Sequence, residues 1–523
     1  MRDNGTGITG TSGAVVGYEP QSLDIEGRFP EGSGSMTSSP HSIKFNFIMN
    51  AALSVSTFLY PLITYPYVTR VLGAEYYGKV IFASYVANWV SMFSQLGIPT
   101  YGIRACAACR NDEAKLRKTV NEILTLSVIT ALLVYGAFLL CILLVPRFRE
   151  DPLLFLIVSV PVLLNAVGAD WFFKGLEEYG YVAFRDTLFR VIAIVLLFLL
   201  VRTELDYRYY ALTMAVAGGG PAILNFLNAR KRLGGFRDMQ ETDWKQHFRP
   251  VLTFFMLTVA ISIYTNMDVV MLGFLSTDAQ VGYYGAATRM KGIAVSFVTA
   301  LGGVLMPRVS NYLAEGKKEA FRKLVTGNFA FVFLIAAPMT FYCMAMADQV
   351  ILFLSGDKFR GAMLPMRFIS ITILLIGLSN VTGMQILVPS GRERMTTIST
   401  VWGACLNLIV NFALIPRMGA MGAVIGTVMA ELVVLAVQIW YLKGELGLYL
   451  KELELGKILA ANAAACAALA VIRNLLQMNA PASVLIYGMR ILLSGLVFCG
   501  IYLGLLAAER EKTTLAFFGK LRG

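Results

Sequence analysis

The stretch Leu72-Gly-Ala-Glu-Tyr-Tyr-Gly-Lys-Val80 begins a long apolar run, and a related stretch, Leu275-Ser-Thr-Asp-Ala-Gln-Val-Gly-Tyr-Tyr-Gly285, begins another. Each run ends near a Leu-Gly pair, Leu96-Gly97 in the first and Leu301-Gly302 in the second, and the copies lie about 205 residues apart. Six apolar runs separate equivalent positions. An even number of membrane crossings gives two halves of the same orientation, related by an axis along the membrane normal. The repeat predicts two lobes with a site between them, which is a transporter architecture.

The composition of the whole chain is that of a membrane protein. Of the 523 residues, 57% are hydrophobic and only 15% are charged, and the mean hydropathy is +0.64. A soluble domain carries roughly 25% charged residues. A water-soluble enzyme of this length would need far more polar surface, so we predict an integral membrane protein.

About fourteen runs are long enough to cross a bilayer, at roughly 20 apolar residues per crossing. Helices are expected because unpaired backbone groups cannot face lipid and no alternating barrel pattern is present. The predicted fold class is therefore all-α integral membrane, with about 14 transmembrane helices in two six-helix lobes related by a parallel repeat, plus two C-terminal helices. The runs are 44–67, 77–98, 119–145, 152–173, 186–202, 208–228, 250–274, 281–306, 327–354, 363–389, 396–416, 420–442, 457–475 and 483–507.

These runs divide the chain into segments. We predict an N-lobe over 43–230 (spans 1–6), a C-lobe over 250–442 (spans 7–12) and a final pair of spans, 13 and 14, within 443–508. A cytoplasmic linker over 231–249 joins the lobes. The first segment, 1–42, is rich in Gly, Ser, Thr and Pro and predicts a disordered cytoplasmic tail; a second cytoplasmic tail covers 509–523.

The distribution of Lys and Arg among the connections predicts the orientation. One set of alternate connections holds about three times as many basic residues as the other set, which places both termini in the cytoplasm. The net charge of +12 is therefore explained by orientation rather than by a nucleic-acid partner. Every connection is short, at most about 20 residues, which leaves no room for an extramembrane catalytic domain. We expect no enzyme activity.

Cofactor signals are absent from the sequence. The pair Cys106 and Cys109 has the spacing of half a zinc site, but a structural zinc site needs four ligands and no second pair lies nearby. The chain has seven cysteines and two histidines, and it lacks a Walker-type phosphate loop. We therefore expect no metal, no other cofactor and no direct use of ATP.

Two basic residues inside the eighth span are the first candidates for substrate binding. At 1.5 Å per residue, Arg289 lies roughly 12 Å and Lys291 about 15 Å below the outer end of the span. Such charges cost a few kcal/mol in a membrane, and a cationic cavity suits a diphosphate. Residues two apart lie about 200° apart around a helix, so we expect only one of them to face the cavity. The alternative is a structural ion pair with Asp268 or Glu431.

Four further charges have two interpretations each. Asp268 and Glu431 are candidates for cation coupling, to protons or sodium, or else form structural hydrogen bonds. Arg70, at the outer end of span 1, is a candidate substrate contact or a capping group. Arg190 on span 5 is a candidate substrate contact, or it pairs with Asp186 four residues earlier.

Several motifs occur in order over roughly residues 44–440. They are Leu62-Ile-Thr-Tyr-Pro-Tyr-Val-Thr-Arg-Val-Leu-Gly-Ala-Glu-Tyr-Tyr-Gly78, Leu96-Gly-Ile-Pro-Thr-Tyr-Gly-Ile-Arg104, Asp170-Trp-Phe-Phe-Lys-Gly-Leu-Glu-Glu-Tyr179, Thr265-Asn-Met-Asp-Val-Val-Met-Leu-Gly273 and Asn407-Leu-Ile-Val-Asn-Phe-Ala-Leu-Ile-Pro416. The set resembles the polysaccharide transporters, which are the Wzx-type flippases of the multidrug/oligosaccharidyl-lipid/polysaccharide (MOP) exporter superfamily.

This resemblance implies a MATE-like fold and a function. Such proteins move isoprenoid-diphosphate-linked oligosaccharides across the bacterial cytoplasmic membrane, by alternating access through a central cavity that is often cationic. It implies as partners the lipid-linked oligosaccharide, membrane lipids, a coupling H⁺ or Na⁺, and the glycosyltransferases and polymerase of the pathway. Passive transport stays open.

Two alternatives remain at this point. A drug or organic-cation antiporter of the same superfamily would favour a carboxylate-lined cavity without deep basic residues, which Arg289 and Lys291 argue against. A membrane enzyme such as a polymerase or ligase would need catalytic side chains on a large outer loop, and the predicted connections contain no such loop.

Overall fold

The computed structural model describes residues 43–233, 243–451, 453–475, 478 and 480–509. All regular secondary structure in these residues is helical, and the all-α prediction is thereby confirmed for them. The predicted tail over 1–42, most of the tail over 509–523 and the middle of the predicted linker lie outside the described residues.

The first half of the described chain contains eight α-helices, of which α4 and α6 are short. Asp112 caps α3 and Asp151 caps α5 by accepting a hydrogen bond from a backbone N–H of the first turn. The helices are α1 (Ile43–Gln95), α2 (Ile98–Cys109), α3 (Glu113–Leu144), α4 (Pro146–Arg149), α5 (Pro152–Gly168), α6 (Asp170–Gly175), α7 (Tyr179–Leu200) and α8 (Tyr207–Arg232).

The second half continues the pattern. A π-helical segment, Val381–Leu387, follows α14, and a 3₁₀ segment, Asp357–Ala362, precedes α13. The helices are α9 (Lys245–Leu275), α10 (Asp278–Ala314), α11 (Lys318–Ala345), α12 (Ala347–Ser355), α13 (Met363–Ile369), α14 (Ile371–Asn380), α15 (Glu393–Met418), α16 (Ala420–Tyr441), α17 (Leu446–Leu450), α18 (Leu455–Leu475) and α19 (Val484–Ala508).

Eleven helical segments of the described chain are long and apolar enough to cross a membrane. Each predicted run overlaps a helix, but α5 has only 17 residues, and α7 carries three charged side chains, Arg185, Asp186 and Arg190. The count of fourteen spans and the internal repeat therefore stay predictions. Large exposed apolar side chains, such as Leu133 and Leu144 on α3, cover the outside of these helices, as contact with lipid requires.

A break at Gly73 divides α1 into two helical parts that correspond to the first two predicted spans. Gly73 has φ +72° and ψ 179°, which interrupts the helix. A Cβ atom there would also lie 3.0 Å from the side chain of Lys358. Glycine satisfies both requirements, because it adopts positive φ without a steric cost.

The two stretches quoted at the outset meet in the structure, where α1 crosses α10. A Cβ atom built on Gly78 would lie 1.8 Å from the carbonyl oxygen of Asp278, and one on Gly282 would lie 2.2 Å from that of Ala74. The backbones of the two helices are therefore in direct contact. Only glycine allows this approach.

We expect Gly282→Ala to lower the melting temperature of the purified protein. The added methyl group forces α1 and α10 apart, and overpacking of this kind costs about 1–3 kcal/mol. Gly303→Ala on the same helix is the matched control, because nothing lies within 4 Å of its Cβ position. Equal melting temperatures for the two variants would show that the contact is unimportant for stability.

Candidate functional site

A cavity of about 790 Å³ lies between α1 of the predicted N-lobe and helices α9, α10, α14, α15 and α16 of the predicted C-lobe. Tyrosine is the commonest aromatic residue in its wall. The tyrosines that line it are Tyr65, Tyr77, Tyr85, Tyr264 and Tyr284, and the charged residues that line it are Asp268, Arg289, Lys291 and Glu431.

Arg289 points to the α1 side of the cavity. Its guanidinium lies 5.9 Å from the ring centre of Tyr65, within the range of a cation–π contact. Its side chain is exposed, and no carboxylate among the described residues forms an ion pair with it. Arg289 therefore provides a cation that is free to bind an anionic ligand.

Lys291 also lines the cavity, on the other side of α10. The charged groups closest to it electrostatically are Glu431 and Asp268, and neither forms an ion pair with it in the described residues. The expectation that only one of the two basic residues faces the cavity was wrong. Their positions lie about 200° apart around the helix, but Thr288 through Ile293 all line the cavity, so it extends around both sides of α10.

Asp268 is the centre of a buried polar cluster, and it is only 5% exposed. The hydroxyl of Tyr284 donates a hydrogen bond to one carboxylate oxygen, and the hydroxyl of Thr427 donates to the same oxygen at 2.9 Å. The amide of Asn411 donates to the other oxygen at 2.6 Å and to the side-chain oxygen of Asn407 at 3.1 Å. The carboxylate on α9 is thus held by neutral oxygen- and nitrogen-bearing groups from three other helices, α10, α15 and α16.

Glu431, on α16, lies near this cluster and is 7% exposed. Its carboxyl group interacts with the hydroxyl of Tyr264 and electrostatically with Lys291 and Asp268. The cavity therefore has two electrostatically different sides. Arg289 lies over the ring of Tyr65, whereas Lys291 interacts electrostatically with two carboxylates.

The other predicted substrate contacts do not line this cavity. Arg70 donates hydrogen bonds to the carbonyl oxygens of Pro66 and Phe353, so it joins α1 to α12. Arg190 donates to the hydroxyl of Ser56 at 2.9 Å.

The alternative pairing proposed for Arg190 was wrong. Asp186 forms an ion pair with Arg185, at 3.6 Å, and no such pair joins it to Arg190 in the described residues. Arg185 is 1% exposed and also pairs with Asp170. Sequence spacing favoured the i,i+4 partner, but the ion pair forms with the adjacent residue, Arg185, whose guanidinium also contacts Asp170.

Several site residues were not singled out by sequence reasoning. Asn407 and Asn411 are polar residues four apart in an apolar run, which places both on one face of a helix and is a usable signal. The tyrosines have no such signal, because aromatic residues are common in any membrane span. They become a set only when α1, α9 and α10 assemble.

Polar contacts also join the two predicted lobes. Arg147 pairs with Asp278, and its Nε donates to the carbonyl oxygen of Gly273 at 3.0 Å. The hydroxyls of Tyr65 and Ser355 lie 2.8 Å apart.

Another polar contact between the predicted lobes lies at the opposite end of α9. His247, at the start of α9, lies 2.9 Å from a carboxylate oxygen of Glu122 and 2.7 Å from the hydroxyl of Tyr101.

Comparisons with known proteins agree with this fold. The protein from Escherichia coli K12 that is named as a candidate O-antigen transporter is 23% identical over 426 residues, which are 78% of this chain and 98% of that protein. A protein of the same name from Shigella dysenteriae is 25% identical over 411 residues, or 75% of this chain and 98% of that protein.

Two solved structures share the fold. The lipid II flippase MurJ in an inward closed conformation superposes with a TM-score of 0.63, at 13% identity, and covers 88% of this chain and 100% of that one. An inward-facing multidrug resistance MATE family transporter of the MOP superfamily gives a TM-score of 0.55, at 14% identity, over 78% of this chain and 99% of that one.

Two family models match the sequence and confirm the resemblance. The MatE model matches residues 254–413. The model described as polysaccharide biosynthesis protein matches residues 43–313, more than half of the chain. The chain therefore belongs to the polysaccharide biosynthesis protein family, among the membrane transporters of the MOP superfamily.

Proposed function

We propose that this protein is a flippase that moves isoprenoid-diphosphate-linked oligosaccharides across the bacterial cytoplasmic membrane for surface polysaccharide synthesis. The observation that carries the proposal is the unpaired guanidinium of Arg289 in a tyrosine-lined cavity between membrane helices. A diphosphate supplies the missing anion, and arginine binds phosphate oxygens through two parallel hydrogen bonds. The names of the O-antigen transporter relatives support this substrate class.

Alternating access follows from the same arrangement. In the orientation predicted from the basic residues of the connections, the Arg147–Asp278 pair and the Tyr65–Ser355 contact lie on the outer side of the membrane. We infer that these contacts close the cavity toward the outside and must break when the glycan leaves. Both termini are then cytoplasmic.

Cation coupling is assigned to Asp268 rather than to Glu431. Its surroundings suit Na⁺, a hard cation that prefers oxygen ligands. Besides the carboxylate, the cluster offers the hydroxyl of Thr427, the amide oxygen of Asn407 and the carbonyl oxygen of Ala423, to which Thr427 is bonded at 2.9 Å. The amide oxygen of Asn411 is buried and has no hydrogen-bond partner in the described residues. These oxygens would hold the ion.

Lys291 has a second role in this scheme. Because Glu431 and Asp268 act on it electrostatically, it senses whether the coupling site carries a cation. A bound cation weakens the attraction of the carboxylates for the ammonium group, which is then free to contact the substrate. Arg70 and Arg190 do not line the cavity, and each is held by hydrogen bonds within the protein. Their role as substrate contacts stays a prediction.

The substrate class implies the neighbouring reactions. Glycosyltransferases on the cytoplasmic face must supply the lipid-linked oligosaccharide, and a polymerase or ligase outside must consume it. The protein itself carries out no covalent step in this proposal.

A drug or organic-cation antiporter is the second candidate. The two buried carboxylates of the cavity, Asp268 and Glu431, and the match of the MatE family model favour it. The exposed cation Arg289 in the same cavity argues against it, since it would repel a cationic drug.

Deletion of the gene distinguishes the two candidates. We expect the deletion strain to accumulate isoprenoid-diphosphate-linked oligosaccharide in the inner leaflet and to lose surface polysaccharide. The measurement is mass spectrometry of extracted lipid-linked glycans, combined with their accessibility to a membrane-impermeant glycan-modifying reagent. Unchanged lipid-linked glycans together with increased drug sensitivity would favour the antiporter.

A further inference from the structure

A groove on the outside of the helix bundle is separate from the central cavity. It has a volume of about 500 Å³ and lies between α11, α13 and α18. Its walls are mostly apolar and include Phe341, Met344, Leu469 and Ala470, while Arg367 and Arg473 also line it. None of these residues belongs to the candidate substrate site.

Arg473 is fully engaged by the protein. Its guanidinium donates two hydrogen bonds to the carboxylate of Asp348, at 2.8 and 2.7 Å, and another to the carbonyl oxygen of Ala345. Its charge is therefore neutralised within the chain. It shapes the groove but leaves no free cation there.

Arg367 is different. It is exposed and forms no ion pair or hydrogen bond with any residue of the described chain. On α13 it lies between Leu364 and Phe368, whose exposures of 52% and 42% mark a surface that faces lipid. A guanidinium on such a surface costs a few kcal/mol unless it reaches a phosphate group at the membrane interface.

We propose that this groove binds one anionic glycerophospholipid. Its phosphate contacts Arg367, and an acyl chain lies against Phe341, Met344 and Ala470. The single free positive charge matches the single negative charge of a phosphodiester. An isoprenoid diphosphate carries more charge than the groove offers, so the carrier lipid is a poorer match. This site is independent of the transport function proposed above.

Native mass spectrometry of the purified protein with phosphatidylglycerol or phosphatidylcholine tests the site. We expect the wild-type protein to retain one phosphatidylglycerol in preference to phosphatidylcholine. Arg367→Met should reduce this retention about tenfold, whereas Arg367→Lys should keep most of it. Arg417→Met is the matched control, because Arg417 is exposed on α15 away from the groove and bonds only to Ala413 of its own helix among the described residues.

A second variant keeps Arg367 and fills the groove. Ala470 is exposed in the groove wall, so Ala470→Trp should also displace phosphatidylglycerol, without a change in charge. Three results would overturn the proposal: wild-type retention in Arg367→Met, equal retention of phosphatidylcholine, or displacement of phosphatidylglycerol by an equimolar isoprenoid diphosphate. Size-exclusion profiles and melting temperatures of all variants verify that each one is folded.

Discussion

Cells whose only copy of the protein carries Arg289→Ala together with Lys291→Ala are expected to lose surface polysaccharide while the amount of protein in the membrane stays normal. Both side chains line the cavity, and neither is ion-paired within the described chain. Each charge-assisted contact with a diphosphate contributes about 1.5–3 kcal/mol, so the rate of translocation should fall at least about tenfold per residue. Surface glycan is measured by gel and by antibody or lectin binding, and protein level by immunoblot.

The single variants show which of the two residues contacts the phosphate. Arg289→Lys keeps the charge but loses the bidentate geometry, so it should be intermediate between wild type and Arg289→Ala. Glu431→Gln removes a different charge from the cavity wall. It tests whether the loss of any charge there reduces surface glycan to the same extent. Normal surface glycan in the double mutant would show that the cationic residues are not the substrate contacts.

Asp268→Asn is expected to abolish both sodium binding and transport. The wild-type protein should melt at a higher temperature in NaCl than in choline chloride. A sodium concentration 100 times the dissociation constant adds about 2.7 kcal/mol to the free energy of unfolding. The variant retains the shape of the side chain but lacks the negative charge, so this difference should vanish. Transport in proteoliposomes with and without a sodium gradient provides the second measurement.

Two comparisons separate coupling from a structural role of Asp268. Thr427→Ser keeps the hydroxyl that contacts Asp268 and should keep the sodium effect, whereas Thr427→Val should weaken it. If sodium no longer raises the melting temperature of Glu431→Gln but still raises that of Asp268→Asn, the coupling site is at Glu431. If wild-type transport responds to a pH gradient and not to sodium, the coupling ion is a proton.

The helical part of the fold was largely predictable because each span is a local property. Twenty apolar residues must form a helix in lipid wherever they lie in the chain, since no other structure satisfies their backbone groups. The boundaries were less predictable. The helix α1 extends over two predicted runs, and only the positive φ of Gly73 separates them.

The candidate site was only partly predictable. Arg289, Lys291, Asp268 and Glu431 stood out because charge is costly in a membrane, and the structure places all four on one cavity. Helix geometry alone misjudged Arg289 and Lys291. The angle between two side chains on a helix does not say how far a cavity extends around that helix.

The sequence by itself determined that this protein is a helical membrane transporter. It also identified the charged residues inside the apolar runs. Both were possible because hydropathy and the cost of a buried charge depend on the residues and their immediate neighbours. Only the tertiary structure decided which partners these charges have. Asp268 meets Asn411 and Thr427, about 140 to 160 positions further along the chain, and Arg147 pairs with Asp278 of the other predicted lobe. Such contacts depend on how whole helices pack, and local sequence spacing carries no information about that.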